Sequence, residues 1–405
     1  MNILFLAQRV PYAPDRGDRI RAWNILRFLK AQGHRVRVVA AAHDQAELGR
    51  AHELDGLVDG WDCALLPRVR NLAKAALALP GRQPLTHVLL RSSTLARRLQ
   101  TIVREFSPHV VYAYCSGLAN LALEPPLASL PCILDLVDVD SAKWHDLAIA
   151  TKGPMRFVYA REAVRLRAFE QRAIASAMAT VVVTERERAI LKETVVDVEA
   201  EVIRNGIDVD GFRPPGPPSI DKLVVFTGVF DYLPNEQGAL WFLEEIWPLV
   251  LQRHADASFA LVGARPTSRL TRASAVTPRA SVTGYVADVR TWLWRGAVAV
   301  APLRHARGVQ NKVIEAVAAG LPVVVTPSVA GGLPDSVMSA CVTASSAPEF
   351  SEAISRWLDK SPDQRRAHAQ AASLEDLRWE RCLAPLIPLI ERAHAITATR
   401  QRPQR

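Results

Sequence analysis

The sequence predicts an α/β protein made of two doubly wound, Rossmann-like domains, each on a parallel sheet, facing each other across a cleft. Three observations carry that expectation. The same alternation of short β-branched runs and amphipathic stretches occupies both halves of the chain, with no fixed-period repeat. Between the halves, residues 208–221 read DVDGFRPPGPPSID, with four prolines and two glycines in fourteen residues, the composition of an interdomain connection. Later, residues 298–302, 309–319 and 323–326 follow as buried strand, helix stopped by Gly320, and next strand, which is a βαβ unit. At 405 residues the chain is too long for one ordinary core and matches two domains of about 200 residues. The expected division is 1–207, a linker at 208–221, 222–384, and a C-terminal helix or tail, 385–405, that is a candidate to cross back to the first domain.

The elements follow from local pattern. Residues 2–7 form an apolar strand, the turn-rich 11–18 a loop, and 19–32 an amphipathic helix ended by Gly33, with 36–41 as the second strand. Further strands are expected at 61–66, 110–113 and 133–137, and helical sequence fills 85–106. Residues 155–178 read as a long helix with Arg156, Arg161, Arg165, Arg167 and Arg172 among apolar positions, either a wet basic face or a membrane-surface face. A strand at 181–184, a helix at 185–193 and a short strand at 202–203 complete the first half. The pattern restarts with a strand at 223–227, Gly228, a helix at 235–251, a strand at 259–262 and Gly263. Trp241, Trp247, Trp292 and Trp294 are expected in helix cores.

Composition narrows the function classes. With 49% hydrophobic and 22% charged residues the chain is of globular type, and no apolar run reaches the roughly 18 residues that a spanning helix needs. The N-terminus passes from a strand-like run directly into a charged turn, so a cytoplasmic protein is expected. Five widely spaced cysteines without a CxxC pair support neither a disulfide framework nor a zinc site. Net charge is +9, and the first 100 residues hold 16 Lys and Arg against 8 Asp and Glu. Such a basic face suits anionic headgroups or a pyrophosphate-linked substrate, and with no nucleic-acid motif a nucleic-acid partner is not expected.

Ligands of open parallel sheets bind beyond the carboxyl ends of strands, where helix N-termini favour anions. Arg304, Arg307 and Lys312 lie at that end of the 298–326 unit, which makes a phosphate-bearing ligand the first hypothesis. Gly17 sits where the first strand meets its helix, among Arg16, Asp18, Arg19 and Arg21, but a single glycine is not the GxGxxG dinucleotide fingerprint. Asp138 and Asp140, at i and i+2 beyond a strand, admit a divalent-metal reading beside the commoner one of a solvated or acceptor-facing turn. His43, His145 and His305 are acid–base candidates by residue type alone.

Seven motifs in order, the strand–Gly17–helix opening, VVVTERERAIL (181–191), VIRNGID (202–208), VVFTG (224–228), ALVG (260–263), VTGYVADV (282–289) and KVIEAVAAGLPVVVT (312–326), resemble glycosyltransferase family 4 across nearly the whole chain. GDRIR (17–21), DLVDVDSAKW (135–144), PNEQGALWF (234–242) and GVQNKVIEA (308–316) resemble, more narrowly, the sugar transferases of exosortase-linked exopolysaccharide clusters. The resemblance implies the GT-B fold and a retaining transfer of sugar from a nucleotide diphosphate donor, with a C-terminal nucleotide-sugar domain and an N-terminal acceptor domain. It implies that Glu315, second carboxylate of the family's Glu-x7-Glu motif, holds the ribose hydroxyls. The first falls at Arg307, and the family's usual Arg and Lys after the 228 glycine are Val229 and Pro234 here.

The expected donor site is therefore Glu315, Lys312, Arg304 and Arg307 with Gly308, Val309, Gln310, Asn311, Gly228, Asn235 and Gly284. Lys312, Arg304 and Arg307 would replace the missing cations against the leaving diphosphate. Gly17, Arg19, Asp138 and Asn205 are the acceptor-side candidates, and Asp138 and His145 the weak catalytic ones. No cofactor and no metal is expected. The donor is a UDP- or GDP-sugar, the acceptor a glycan or polyprenyl-pyrophosphate-linked glycan, and the protein would sit peripherally on the anionic inner face of a membrane. Alternatives are a non-catalytic assembly protein with a degenerate site, a nucleotide-sugar epimerase, and a metal-dependent transferase built on Asp138 and Asp140.

Overall fold

The computed structural model describes residues 1–12, 17–195, 199–306 and 309–401, without the side chains of 17, 18, 398, 400 and 401. The chain forms two compact units, Met1–Gly206 with Trp379–Arg405, and Ile207–Arg378. Each is an all-parallel sheet between helical layers.

In the first unit, β1 (Asn2–Ala7), β2 (Arg35–Ala42), β3 (Gly60–Leu65), β4 (Val110–Tyr114), β5 (Cys132–Val137), β6 (Ala179–Val182) and β7 (Ala200–Val202) lie in the order β3-β2-β1-β4-β5-β6-β7. The β1 run is apolar at successive positions because both sheet faces are covered: Phe5 packs in one core, Leu4 and Leu6 in the other. The strand order reverses between β1 and β4, so their carboxyl ends flank a crevice-forming position. Where one helical stretch was expected over 85–106 there are two, Leu85–Leu89 and Ser93–Phe106, the second capped by Ser92, which accepts from Leu95 N–H.

In the second unit, β8 (Leu223–Thr227), β9 (Ser258–Val262), β10 (Ala280–Val282), β11 (Val298–Ala301), β12 (Val323–Val325) and β13 (Cys341–Thr343) lie in the order β10-β9-β8-β11-β12-β13, reversing between β8 and β11. The helix expected at 235–251 begins earlier, as Leu233–Trp241, and continues through a π stretch, Phe242–Ile246, into Trp247–Arg253. Trp247 is fully buried and its indole N–H donates to Pro278 C=O at 2.9 Å.

Two boundaries differ from those the sequence suggests. The proline-rich 208–221 belongs to the second unit: a short helix, Val209–Phe212, puts Val209 into its core with Phe212 packed against it, and Trp294 donates to Phe212 C=O at 2.7 Å. Secondly, the chain rejoins the first unit at Trp379 and not at 385, because Trp379 and Leu383 already pack with Leu386, Leu389, Ile390 and Ala393 in the core beneath β1. The two glycines and four prolines of 208–221 shape the path without releasing it from the core.

Candidate functional site

The carboxyl ends of β8, β9 and β11 converge in the second unit. Gly228, directly after β8, donates its N–H to Val262 C=O at 3.0 Å. Gly263, directly after β9, has φ +145°, and a Cβ there would stand 1.9 Å from Gly228 C=O, so the two loops touch backbone to backbone. Only glycine permits that approach. Gly238 has a similar role in the adjoining layer, where a Cβ would lie 2.7 Å from Pro302 C=O, letting the helix Leu233–Trp241 press on the segment that follows β11.

Into this corner come two side chains separated by 77 residues. Lys312 Nζ donates to Asn235 Oδ1 at 2.5 Å, and Asn235 Nδ2 in turn donates to Val229 C=O at 2.9 Å. A Cβ on Gly228 would lie 3.4 Å from Lys312 Nζ, and the ammonium stands 5.0 Å from the centre of the Phe226 ring. Burial, opposed by the charge of Glu315 one turn along the helix Asn311–Ala318, lowers Lys312 to about 8. The same burial, opposed by Lys312, pushes Glu315 up to about 7. Both residues are half-buried. A partly desolvated cation beside a carboxylate, under a glycine at a strand end, is equipped to hold a diphosphate and a diol.

The other expected donor residues are distributed around that pair. Gln310 is the extended residue ahead of the helix Asn311–Ala318 and its C=O accepts from Val313 N–H at 2.9 Å; Asn311 opens the helix, and Val309 packs on the core. Gly284, at φ +71°, closes the turn after β10, where Thr283 Oγ1 accepts from Gly263 N–H at 3.2 Å. Arg304 is engaged elsewhere: its guanidinium lies 4.6 Å over the Trp241 ring and 3.6 Å from the Glu245 carboxylate. An exposed guanidinium gains more from an aromatic face and a carboxylate than from approaching another cation, which explains the difference from its expected place beside Lys312. Arg307 and Gly308 lie outside the described residues.

In the first unit the acceptor-side candidates Asn205, Arg19 and Asp138 are each engaged by a different residue, Arg21, Glu47 and Lys143. Arg21 is wholly buried and pairs with the equally buried Asp135 at 2.9 Å, also donating to Ile203 C=O at 2.9 Å and Asn205 Oδ1 at 3.0 Å. Tyr112 donates to Asp135 at 2.7 Å, and burial, reinforced by Asp135, raises its phenol well above the ordinary range. Asn205 therefore serves this network, which fixes the carboxyl ends of β4, β5 and β7. Arg19 is buried too, 3.3 Å from Glu47 and 3.9 Å over the Tyr12 ring. It borders a small concavity at the β1–β4 reversal lined by Gln8, Arg9, Pro11, Ala22 and Tyr114. Gly17 is the first residue of the helix Gly17–Ala31; Arg16 lies outside the described residues and nothing is described of the Asp18 side chain.

Asp138 and Asp140 do not stand as a bare pair. Lys143 Nζ is 3.2 Å from Asp138 and 3.4 Å from Asp140, and Ser116 donates to Asp140 as well. Lys143 thus lies against both carboxylates, and among the described residues no group of three His, Cys, Asp or Glu that could hold a metal is found. His145 is exposed on the helix Asp140–Ala150, and His43 Nε2 is engaged with Gln8 C=O at 3.0 Å. Sequence reasoning missed the Gly263 contact, the Gly238 contact and the Arg21–Asp135 pair. Gly263 was the most accessible of these, since it ends a strand beside one that also ends in glycine.

Comparison with known proteins gives the family and the fold. The model of the glycosyl transferase 4-like domain matches residues 17–206, and that of glycosyl transferases group 1 matches residues 221–360. No curated protein sequence matches the chain. Among solved structures it is similar to Anabaena Alr3699/HepE in complex with UDP and glucose, at 16% identity over 97% of this chain and 100% of that one, with a TM-score of 0.67. It is also similar to WaaG, a glycosyltransferase involved in lipopolysaccharide biosynthesis, at 18% identity over 98% and 99%, with a TM-score of 0.56. A variant of S. aureus TarM in complex with Fondaparinux, alpha-GlcNAc-glycerol and UDP gives 10% identity over 96% and 99%, with a TM-score of 0.68. With one family model on each unit and this fold throughout, the chain belongs to the family 4-type, group 1 glycosyltransferases and has their GT-B fold.

Proposed function

We propose that the second unit binds a nucleotide diphosphate sugar at the Gly228–Asn235–Lys312–Glu315 corner, and that the sugar is passed with retention of configuration to an acceptor held by the first unit. The convergence of Lys312 and Asn235 under Gly228 carries this reading. Lys312 stands where a cation can offset charge on the departing diphosphate, replacing the basic pair absent at Val229 and Pro234. Asn235 holds the ammonium in place through its own bond to Val229 C=O. Glu315 accepts from the two vicinal ribose hydroxyls, which requires its carboxylate form; a diphosphate bound at Lys312 keeps that lysine charged and so favours the carboxylate. Rate enhancement then comes from positioning and from stabilising the leaving group, without a metal and without a covalent nucleophile.

HepE was solved with UDP and with UDP-glucose, so a UDP-sugar is the first donor to test and a GDP-sugar the second. A glycan acceptor on a polyprenyl pyrophosphate, in exopolysaccharide assembly, is the acceptor class we favour, motivated by the excess of 16 basic over 8 acidic residues in the first 100. Titration calorimetry with UDP and GDP is the direct test. Binding of one nucleotide, weakened at least about tenfold by Lys312→Ala and by Glu315→Gln, is the expected result. A chain that binds neither is a degenerate scaffold, and one whose affinity ignores both substitutions holds its donor elsewhere.

A further inference from the structure

One helix of the first unit is turned inside out. In the helix Arg68–Ala78 the inward positions are Asn71, Ala75 and Ala78, small or polar residues, while Val69, Leu72 and Leu77 are 86%, 66% and 82% exposed. At about 100° per residue, Val69, Leu72, Ala73, Ala76 and Leu77 fall on one continuous outer stripe, with Leu79 extending it. Arg70 and Lys74 border the stripe on one side and Arg68 on the other.

The helix cannot roll to hide that stripe. Asn71 Nδ2 donates to Leu89 C=O at 2.8 Å and Arg91 C=O at 2.9 Å. Ala75 packs with Leu85 and Val88, and Ala78 and Val158 close the same small cluster. Arg161 donates to the carbonyls of Ala78, Leu79, Gly81 and Gln83 at 2.6–3.0 Å, pinning the C-terminal end. On the same long helix as Arg161, the first turn presents exposed Met155 and Phe157 beside Arg156.

Charge decides what covers the stripe. From residue 63 to 104 the chain has eight Lys and Arg and not one Asp or Glu. A second copy of the chain packed about a twofold axis would set Arg68, Arg70 and Lys74 against themselves, an unfavourable arrangement. A bilayer surface bearing anionic headgroups instead takes the apolar stripe at its acyl boundary and the flanking cations at its phosphates. We propose that the helix Arg68–Ala78 is an interfacial membrane anchor, lying in the plane of an anionic bilayer with Val69, Leu72 and Leu77 inserted. This does not depend on the donor site in the second unit.

The test is co-sedimentation of the full chain with vesicles of phosphatidylcholine alone and of phosphatidylcholine with about a third phosphatidylglycerol. Binding to the anionic vesicles at least about tenfold above the neutral ones is expected, weakening with salt. Leu72→Asp with Leu77→Asp should abolish it. Arg70→Gln with Lys74→Gln should weaken it by about fivefold per charge removed. All four side chains are exposed, so the thermal midpoint of each variant should equal that of the parent chain. Equal binding by parent and double-Asp variant, or no preference for anionic vesicles, overturns the proposal. So does a dimer in sedimentation velocity that the double-Asp variant dissociates, which would make the stripe an interface between copies.

Discussion

Lys312 and Glu315 lie one helical turn apart in surroundings that suit each charge poorly. Burial pushes Glu315 up to about 7, from an ordinary value near 4.5. Between those two values the folded chain holds a proton that the unfolded chain has released, so this group's stabilisation is present at low pH and is lost as pH rises through about 7. Glu315→Gln removes the buried charge and with it this slope. Above about pH 7 the variant should be more stable than the parent, by about 1–2 kcal/mol after allowance for a half-buried, solvent-screened carboxylate. It should at the same time lose nucleotide affinity. Thermal melts at about pH 5 and pH 8 read the first effect and calorimetry the second; a variant less stable at the higher pH would mean that Glu315 serves the fold. Lys312, lowered to about 8, gives the complementary pH dependence: nucleotide affinity should decline by about tenfold as pH rises from about 7 to 9.5. Lys312→Arg, which stays charged throughout that range, should flatten the decline.

At the level of elements, the corner exists because two strand-end glycines touch. Gly263→Ala would drive a Cβ to within 1.9 Å of Gly228 C=O, a backbone atom with no rotamer to yield. A loss of about 3 kcal/mol or more is expected, with nucleotide binding lost even where the chain still folds. Denaturant melts and calorimetry check both; a variant with parent-like stability and affinity would show that the β8 and β9 loops do not need this contact. The elements themselves were largely legible in the sequence. β8 was bounded correctly at both ends because five apolar or β-branched residues run between a charged residue and a glycine. The helix Arg68–Ala78 was not, because its buried face is only Asn71, Ala75 and Ala78, and its apolar stripe faces outward. The π stretch Phe242–Ile246 was hidden for another reason: one helical apolar pattern runs through it and hydropathy does not register a widened turn. Of the candidate site, Glu315 and Lys312 lie within a motif visible in the sequence, while the Lys312–Asn235 bond is not visible there, since no local pattern links residues 77 apart.

Over the whole chain, the division of the core is what sequence reading placed least well. The proline content of 208–221 suggested a free connection, yet Val209 and Phe212 are part of the second unit. Composition marks where a chain turns, and only packing decides to which core the turn belongs. The same holds at the other end, where Trp379, Leu383, Leu386, Leu389, Ile390 and Ala393 complete the first unit although the whole of the second, Ile207–Arg378, lies in between along the chain. All but Ala393 are large apolar side chains, each worth roughly 1.5–3 kcal/mol when buried. Their sum, on the order of 10 kcal/mol, equals the whole stability of a typical domain. Deleting residues 379–405 should therefore prevent the first unit from folding while leaving the second unit's thermal transition in place, so that scanning calorimetry of the truncated chain shows one transition where the parent shows two. Leu386→Ala is the milder form of the same experiment: a loss of about 2–5 kcal/mol, confined to one transition. If instead both transitions moved together on Leu386→Ala, the two units would fold as one cooperative body, and the tail's contribution would belong to that body as a whole.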